Sequence, residues 1–381
     1  MKRVDELRTA DRAFAHDLMV RAQHDDAARE RYVLGLKREI ARDLGPGNRT
    51  VYERRAKQAF HRTKGRTPET LSEVRGVMQR EGVHQMWSAL SRSAQEMMWE
   101  SVQTTIGRDL ARLESTARRL RQRNRKLGSL MLDPMVRMPA YVGKIDIHLQ
   151  PGGYELDEGG DDILAGALYE RGGGLYSRGV GIGGHDSKAG ALLAVIAERY
   201  PDFEPKRIID LGCSAGGATV SYAEAFPGAK VYGIDIGAGM LRYAHARAES
   251  IGLAVHFEQM NACKTRFAEG DFDLVVSHNL FHEVSATEAR AILRECHRLL
   301  SPGGVVAHLD VPARGGDMSL FERFIADYQT LYNAEPCWRA YLDMDHRAEL
   351  IRAGFAGTNV FALKQAKMDG PGAWWVFGAR K

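Results

Sequence analysis

Hydrophobic and polar positions alternate along the second half of the chain in blocks typical of short strands and helices. Five apolar runs follow one another there: RIIDLG, KVYGIDI, AVHFEQM, FDLVVSH and VVAHLDV. Between them lie stretches with apolar residues at helical spacing, such as Ala238–Ile251 and Thr287–Leu300. This alternation predicts an α/β fold with a doubly wound parallel sheet. Two later runs, Thr358–Lys364 and Ala373–Ala379, are expected to pair antiparallel at its edge, giving a mostly parallel sheet of seven strands.

The first part of the chain has a different pattern, with helical periodicity and few strand signals. One helical pattern runs from about Leu71 through Trp99, and another from about Val102 to Lys126. Thr67 and Pro68 suit the cap and the first position of a helix. We therefore predict an N-terminal helical domain over residues 1–140.

Length and charge support a division into domains. A chain of 381 residues is too long for one typical domain. Residues 1–140 carry 29 Lys and Arg against 18 Asp and Glu, a net charge of +11, so the remainder of this +4 chain carries −7. We predict a glycine-rich linker or lid at 141–187. A second domain would follow at 188–381, with a helical insert at 317–354.

The glycine-rich run RGGGLYSRGVGIGGHDSK, residues 171–188, argues against regular structure. It contains Tyr176 and Arg178 and is either a lid that closes over a ligand or a passive linker. Flexibility alone does not separate these two interpretations.

Several classes of protein are excluded by composition. No run of 18 apolar residues is present, and the charged N-terminus lacks the apolar core of a signal peptide. We therefore expect a cytoplasmic protein that does not enter a membrane. The four cysteines lie far apart without a CxxC pair, which argues against a disulfide framework and against a cysteine metal site.

A glycine-rich turn follows the first apolar run of the second half. Gly212 and Gly216 would let the backbone approach a ligand closely, at the start of a helix whose free N–H groups favour a polar group. Asp210 ends the strand within this turn, and Asp235 ends the next strand, where a ribose diol needs an acceptor. The DxGxxxG spacing differs from the GxGxxG of nicotinamide-binding domains.

The stretch from Arg207 to Arg314 resembles the core of class I S-adenosylmethionine-dependent methyltransferases, motif by motif. IIDLGCSAGG, VYGIDIGAGML, FEQMNACKTRF, FDLVVSHNLFHEV and LRECHRLLSPGG are similar to five family motifs, in order. One departure is that Ser214 replaces the usual middle glycine. The resemblance implies a Rossmann-like methyltransferase fold, with Asp235 on the ribose hydroxyls and Asn261 on the adenine. The implied S-adenosylmethionine site comprises Asp210, Gly212, Ser214, Gly216, Asp235, Ile236, Met240, Asn261, Ala262 and His278.

Candidate catalytic residues follow the fourth strand. NLFHEV resembles the LHDWS segment of small-molecule O-methyltransferases, whose His is the general base, so the resemblance makes His282 the candidate base and Glu283 its acidic neighbour. Val284 departs from the Trp of that segment, and a His that shapes the pocket is the alternative. Asp310 lies at the end of the fifth strand. It would orient the base or bind the substrate, and a purely structural role at the strand end is the alternative. His278 and His282 lie across a strand end, a spacing that does not favour a metal site.

Aromatic residues in the insert are candidates for the acceptor site. Tyr328, Trp338 and Tyr341 suit a small organic substrate, as does Tyr176 in the glycine-rich run. The alternative is that some of them form only the core of the insert.

The basic helical domain leaves three interpretations open. It is a cap that also forms a homodimer, a surface for RNA or another polyanion, or a docking site for a protein. The basic run RRLRQRNRK lies at a helix end, where cations are favoured locally, so we expect the cap and no nucleic acid. The predicted function is O-methylation of a small molecule. Alternatives are S- or N-methylation, methylation of RNA or protein, and a non-catalytic regulator that binds the cofactor.

Overall fold

The computed structural model describes residues 16–123, 126–176, 187–312, 318–368 and 372–381, and its centre is one eight-stranded sheet. In chain order the strands are β1 (Ser129–Met131), β2 (Arg207–Leu211), β3 (Lys230–Asp235), β4 (Val255–Gln259), β5 (Phe272–His278), β6 (Leu300–Asp310), β7 (Val360–Ala366) and β8 (Ala373–Arg380). Their spatial order is β1-β4-β3-β2-β5-β6-β8-β7.

The first six strands pair in parallel, and β8 lies antiparallel between β6 and β7. The prediction of a mostly parallel, doubly wound sheet is confirmed. The strand count of seven was too low, because β1 adds an eighth strand beside β4. A strand of three residues is too short to show an alternating pattern, so its sequence carried no signal. The strand order reverses between β2 and β5, the switch point at which such sheets bind ligands.

Helices cover both faces of the sheet. One apolar core lies beneath Ser187–Arg199, Gly217–Ala225 and Ala238–Ile251. A second core lies beneath Ala286–Leu299 and the helices that follow β6. The carboxyl ends of the central strands remain open between these layers, where the connecting loops lie.

The N-terminal part is helical, with boundaries that differ from the predicted ones. Its α-helices are His24–Glu39, Gly45–Val51, Lys57–Lys64, Leu71–Met78 and the 40-residue Gly82–Arg121, with π-helical turns at Ile40–Leu44 and Tyr52–Ala56. Thr70 caps the fourth of these by accepting from the backbone N–H of Glu73, so the expected start at Thr67 was wrong. The predicted break after Trp99 was also wrong, because the chain becomes extended at Glu81 and then stays helical to Arg121.

A helix at Leu164–Tyr176 joins the two halves and corrects the expectation that glycines 172–174 prevent regular structure. Gly172 packs against the indole of Trp99, where an added Cβ would lie 2.3 Å from the ring. Gly166 packs against Tyr243 in the same way. These glycines therefore allow close contact between helices. Residues 177–186, including Arg178, lie outside the described residues.

The segment between β6 and β7 contains the helices Leu320–Ala326, Tyr328–Tyr332, Trp338–Leu342 and His346–Arg352. Phe321 and Phe324 share an apolar cluster with Tyr52, Val74 and Met78 of the N-terminal helices. The insert thus packs against both the sheet and the N-terminal helices. None of the described helices is both long and apolar enough to cross a membrane.

Candidate functional site

The loop after β2 brings backbone close to the switch point of the sheet. Gly212 and Gly216 have φ of 66° and 74°, a conformation that favours glycine. A Cβ on Gly216 would lie 2.9 Å from the Cβ of Ala244, so the following helix could not pack as it does. Ser214 shares the left-handed conformation, with φ of 48°, although it carries a side chain. Ser214, which stands where the resembled motif has glycine, therefore carries local backbone strain.

Asp235, at the end of β3, ties this loop to the neighbouring strand. Its Oδ2 accepts a hydrogen bond from the backbone N–H of Ser214 at 2.9 Å, and its Oδ1 accepts from Gly237 at 2.8 Å. Burial raises the pKa of Asp235 above its usual value, although these N–H donors act in the opposite direction. The carboxylate is thus held at the cavity edge, with acceptor capacity left for a ligand hydroxyl.

Asp210 and His278 form the floor under the loop. The hydroxyl of Thr219 donates to Asp210 Oδ2 at 2.7 Å, and His278 Nδ1 lies 3.5 Å from Asp210 Oδ1. The other nitrogen of His278 lies 3.1 Å from the hydroxyl of Tyr222. These contacts suit a structural role for His278 at this end of the site.

One cavity of about 1210 Å³ extends from this loop toward the insert. Nine of the ten predicted cofactor residues line it: Asp210, Gly212, Ser214, Asp235, Ile236, Met240, Asn261, Ala262 and His278. Gly216 does not, and its place is in the packing of the loop. The Oδ1 of Asn261 accepts from the backbone N–H of Cys263 at 2.8 Å, which orients its amide after β4.

At the other end of the cavity, His282 is held by Asp310. The His282 Nδ1 to Asp310 Oδ1 distance is 2.5 Å, and both side chains are buried. Asp310 also accepts from the backbone N–H groups of Phe281 and Val311, so its position is fixed. Burial alone would lower the pKa of His282, but the carboxylates of Asp310 and Glu283 outweigh it and raise the pKa well above the usual 6.5.

The structure adds a second histidine that sequence reasoning missed. His148 Nε2 lies 2.6 Å from Glu283 Oε1, and His148 Nδ1 lies 2.8 Å from Glu335 Oε1. The hydroxyl of Tyr154 donates to the same Glu283 oxygen at 3.0 Å. Nothing in the local sequence KIDIHLQ marks this histidine, since 134 positions separate it from His282. Only the folded chain brings them together.

The backbone at His148 is strained and firmly held. His148 and Leu149 have φ of 57° and 58°, which is unfavourable for residues with side chains. The His148 carbonyl accepts hydrogen bonds from Trp99 Nε1 at 2.7 Å and from Gln95 Nε2 at 3.1 Å. Both donors lie on the 40-residue helix, so this helix holds the backbone that carries the His148 side chain.

The aromatic residues predicted for the acceptor site divide into two groups. Tyr176, Tyr328 and Trp338 line the cavity. Tyr341 does not: it is buried behind His282, with ring centroids 6.0 Å apart, and its hydroxyl donates to the carbonyl of Val311 at 2.6 Å. Asp310 likewise lies behind His282. Its carboxylate is buried and does not line the cavity. The structure thus does not bring Tyr341 or Asp310 to the wall of the cavity that contains the other predicted acceptor residues.

Comparison with known proteins finds similarity in the part of the chain that contains the loop after β2. Residues 208–304 match the family model described as a methyltransferase domain. The demethylmenaquinone methyltransferase of Thermus thermophilus is 37% identical over 108 residues, covering 28% of this chain and 48% of that protein. The ubiquinone biosynthesis O-methyltransferase of Pseudomonas aeruginosa is 38% identical over 104 residues, covering 26% and 42%. The chain thus spans less than half the length of these two relatives.

Among solved structures, phosphoethanolamine N-methyltransferase 2 of Haemonchus contortus in complex with S-adenosyl-L-methionine matches with a TM-score of 0.38 and 20% identity, covering 50% of this chain and 51% of that one. A methyltransferase from Methanosarcina mazei matches with a TM-score of 0.37 and 22% identity, covering 49% and 96%.

Proposed function

Because the chain carries a class I, S-adenosylmethionine-dependent methyltransferase domain, we propose that it transfers the methyl group of this cofactor to a small organic acceptor, at an oxygen atom. The observation that carries this proposal is the single cavity joining the loop after β2 to His282 and Glu283. Methyl transfer is an in-line displacement, so the acceptor must be held beside the cofactor in one enclosed space.

The size of the cavity supports two ligands. Sites for one small molecule usually measure about 300–1,000 Å³. At about 1210 Å³ this cavity exceeds that range. In this proposal the cofactor occupies the loop end, with Asp235 on its ribose and Asn261 at its adenine. The acceptor then lies among Tyr176, Tyr328 and Trp338.

A hydroxyl acceptor must lose its proton during methyl transfer, and His282 is the proposed general base. In this proposal His282 takes the proton in its neutral form, which its raised pKa favours only at alkaline pH, and Asp310 orients its ring through Nδ1. Nε2 of His282 lies 3.2 Å from Glu283 Oε1, so Glu283 has to yield this nitrogen to the acceptor. The name of the Pseudomonas relative, which specifies O-methylation, supports the same choice. A thioether or an amine would need no such base, and sulfur and nitrogen acceptors are the second candidates.

The contacts of the basic helix support a capping role for the N-terminal domain. Arg118 and Arg121 both pair with Asp161, and Arg108 pairs with Asp26. These cations are engaged within the chain, which argues against a surface for RNA. The cap interpretation also accounts for Trp99, which contacts the backbone of the site.

A homodimer through the N-terminal helices is part of the proposal. Met86, Leu90 and Met97 are exposed on the 40-residue helix, and their spacing places them on one face. An exposed apolar stripe of this kind suits contact with a second copy. Light scattering of the purified chain and of Leu90→Glu tests it: a dimer that dissociates in the variant is expected, and a monomeric wild type would contradict it.

The experiment for the function is incubation of the chain with methyl-labelled S-adenosylmethionine and a metabolite extract, followed by mass spectrometry. We expect label in one small molecule and none with Asp235→Ala. Label only in RNA or protein would favour a macromolecular substrate. Tight cofactor binding without label in any fraction would favour a non-catalytic regulator.

A further inference from the structure

His148, His282 and Glu283 come together from separate parts of the chain. Their possible ligand atoms all lie within 4.8 Å of one another. Nε2 of His148 and Nε2 of His282 lie 2.6 Å and 3.2 Å from the same oxygen, Oε1 of Glu283. The other oxygen, Oε2, is buried and receives no hydrogen bond from any residue that the structure describes. Two imidazoles and one carboxylate thus meet at one place on the cavity wall.

The outer nitrogens of both imidazoles have matching partners. Nδ1 of His282 lies 2.5 Å from Asp310 Oδ1, and Nδ1 of His148 lies 2.8 Å from Glu335 Oε1. Both of these carboxylate side chains are at most 1% exposed. A metal-binding histidine usually donates its other ring N–H to such a carboxylate, which fixes the tautomer that offers Nε2 to the ion. Each histidine here has this support, and both offer Nε2 in the same direction.

We propose that His148, His282 and Glu283 bind one divalent metal ion, for which zinc is best suited. Two histidines and one glutamate are a known ligand set for zinc sites that keep a fourth position open. Donors about 2.0–2.2 Å from a tetrahedral ion lie about 3.3–3.6 Å apart. The 3.2 Å between His282 and Glu283 is close to the lower end of this spacing. His148, now at 2.6 Å, has to withdraw by less than about 1 Å. The expectation of no metal, which came from sequence spacing, concerned His278 with His282, a pair that this site does not use.

This inference deepens the proposed function and rests on it for the role of the ion alone. All three ligands line the cavity, so the open position faces the space assigned to the acceptor. An ion there would bind the acceptor oxygen and favour its deprotonated form. It would also occupy Nε2 of His282, so a bound ion replaces the general-base role of that nitrogen.

The test is direct metal binding to the full chain. The protein is stripped with a chelator, dialysed, and titrated with Zn²⁺ by calorimetry and with Co²⁺ by visible absorption, which reports coordination geometry without any turnover. We expect one ion per chain and a tetrahedral cobalt spectrum that Zn²⁺ abolishes. His148→Ala and Glu283→Gln should lose this binding. Glu335→Gln should weaken it about 10- to 100-fold, because the outer partner of His148 is lost.

The matched control is His256→Ala. His256 bonds to Ser129 near the edge of the sheet, outside the cavity, and its loss should leave the titration unchanged. Normal affinity for S-adenosylmethionine shows that each variant is folded. Absence of a stoichiometric ion in the wild type, or equal binding by His148→Ala, would overturn the inference. Because no acceptor is present, ion binding stands or falls separately from methyl transfer, which the labelled-cofactor experiment decides.

Discussion

The two ends of the cavity are built in different ways. At the proposed cofactor end, Asp210 and Asp235 lie near the ends of β2 and β3, and Asn261 follows β4, all within one domain. At the acceptor end, His148 comes from the segment before that domain and Glu335 from the insert, and Trp99 holds the first of them from the N-terminal helices. The first end is a product of local turns, and the second depends on how distant parts of the chain pack.

This difference teaches that the two ends should fail independently. Changes in the loop after β2 should lower the affinity for the cofactor without altering the acceptor end. Changes at the acceptor end should reduce turnover while cofactor affinity stays the same. The variants below test this independence, beginning with the largest expected effect.

Asp235→Ala should have the largest effect, through the cofactor end alone. It removes the proposed acceptor for the ribose and two hydrogen bonds that order the loop. At about 1.5–3 kcal/mol for each hydrogen bond to a charged group, cofactor affinity should fall at least about 100-fold. Calorimetry with S-adenosylmethionine measures this, with thermal unfolding to show that the chain is folded. Unchanged affinity would remove Asp235 from the site.

His282→Ala should lower kcat by about 10²- to 10⁴-fold, the usual contribution of a general acid or base. Cofactor affinity should stay within about twofold, because His282 lies at the opposite end of the cavity. Single-turnover kinetics with the acceptor identified by mass spectrometry measures the rate. Asp310→Asn serves as the comparison and should lose a smaller part of the same rate. Full turnover in His282→Ala would exclude it from proton transfer.

Trp99→Phe should reduce kcat/KM for the acceptor about tenfold, the equivalent of about 1.4 kcal/mol for one lost hydrogen bond. The change keeps the ring in the core and removes only the N–H that holds the His148 carbonyl. Steady-state kinetics would show the loss, with cofactor affinity unchanged. Thr104→Ala, on the exposed side of the same helix, is the control. Equal loss in both variants would mean that the helix acts through overall stability.

Cofactor affinity should depend on pH at the loop end. Burial raises the pKa of Asp235 above 3.8, and ribose hydroxyls donate to its ionised form. Cofactor affinity should therefore be highest at pH values above the raised pKa of Asp235. At pH values below this pKa, the affinity should fall about tenfold for each pH unit. Calorimetry over a pH series locates the midpoint, and Asp235→Asn should give weak binding that is independent of pH. A midpoint at or below 3.8 would contradict the burial argument.

Ser214→Gly should have the smallest effect. It relieves a left-handed conformation that costs a side chain about 1–2 kcal/mol, while glycine loses about 0.5–1 kcal/mol through added freedom of the unfolded chain. We expect an equal or slightly higher Tm and cofactor affinity within about twofold. A marked loss of affinity would show that the Ser214 hydroxyl itself contacts the cofactor.

The cofactor end is predictable from the sequence because its signals are local. Strand ends, glycines and acidic residues appear in order along the chain, and the parallel sheet brings them to one edge. The pattern of strands and turns is therefore enough to place Asp235 and Asn261 at that edge. His282 closely follows a strand that belongs to the pattern, and the resemblance of NLFHEV to the LHDWS segment singles it out.

The acceptor end could not be predicted because its signals are tertiary. His148 lies in an irregular segment, with a backbone conformation that no sequence pattern indicates. Glu335 lies in the insert, and nothing in the local sequence indicates that its side chain is buried against His148. Glycines 172–174 suggested a linker, although Gly172 is needed for contact with Trp99. Each of these features depends on residues far away in the chain.

The most direct measurement for the central claim is a crystal structure of the chain with S-adenosylmethionine. The account predicts that the adenosine lies between Asp235 and Asn261, and that the sulfonium methyl points along the cavity toward His282 and Glu283. A cofactor bound with its methyl directed away from these two residues would contradict the account, because the two ends of the cavity would then not serve one reaction.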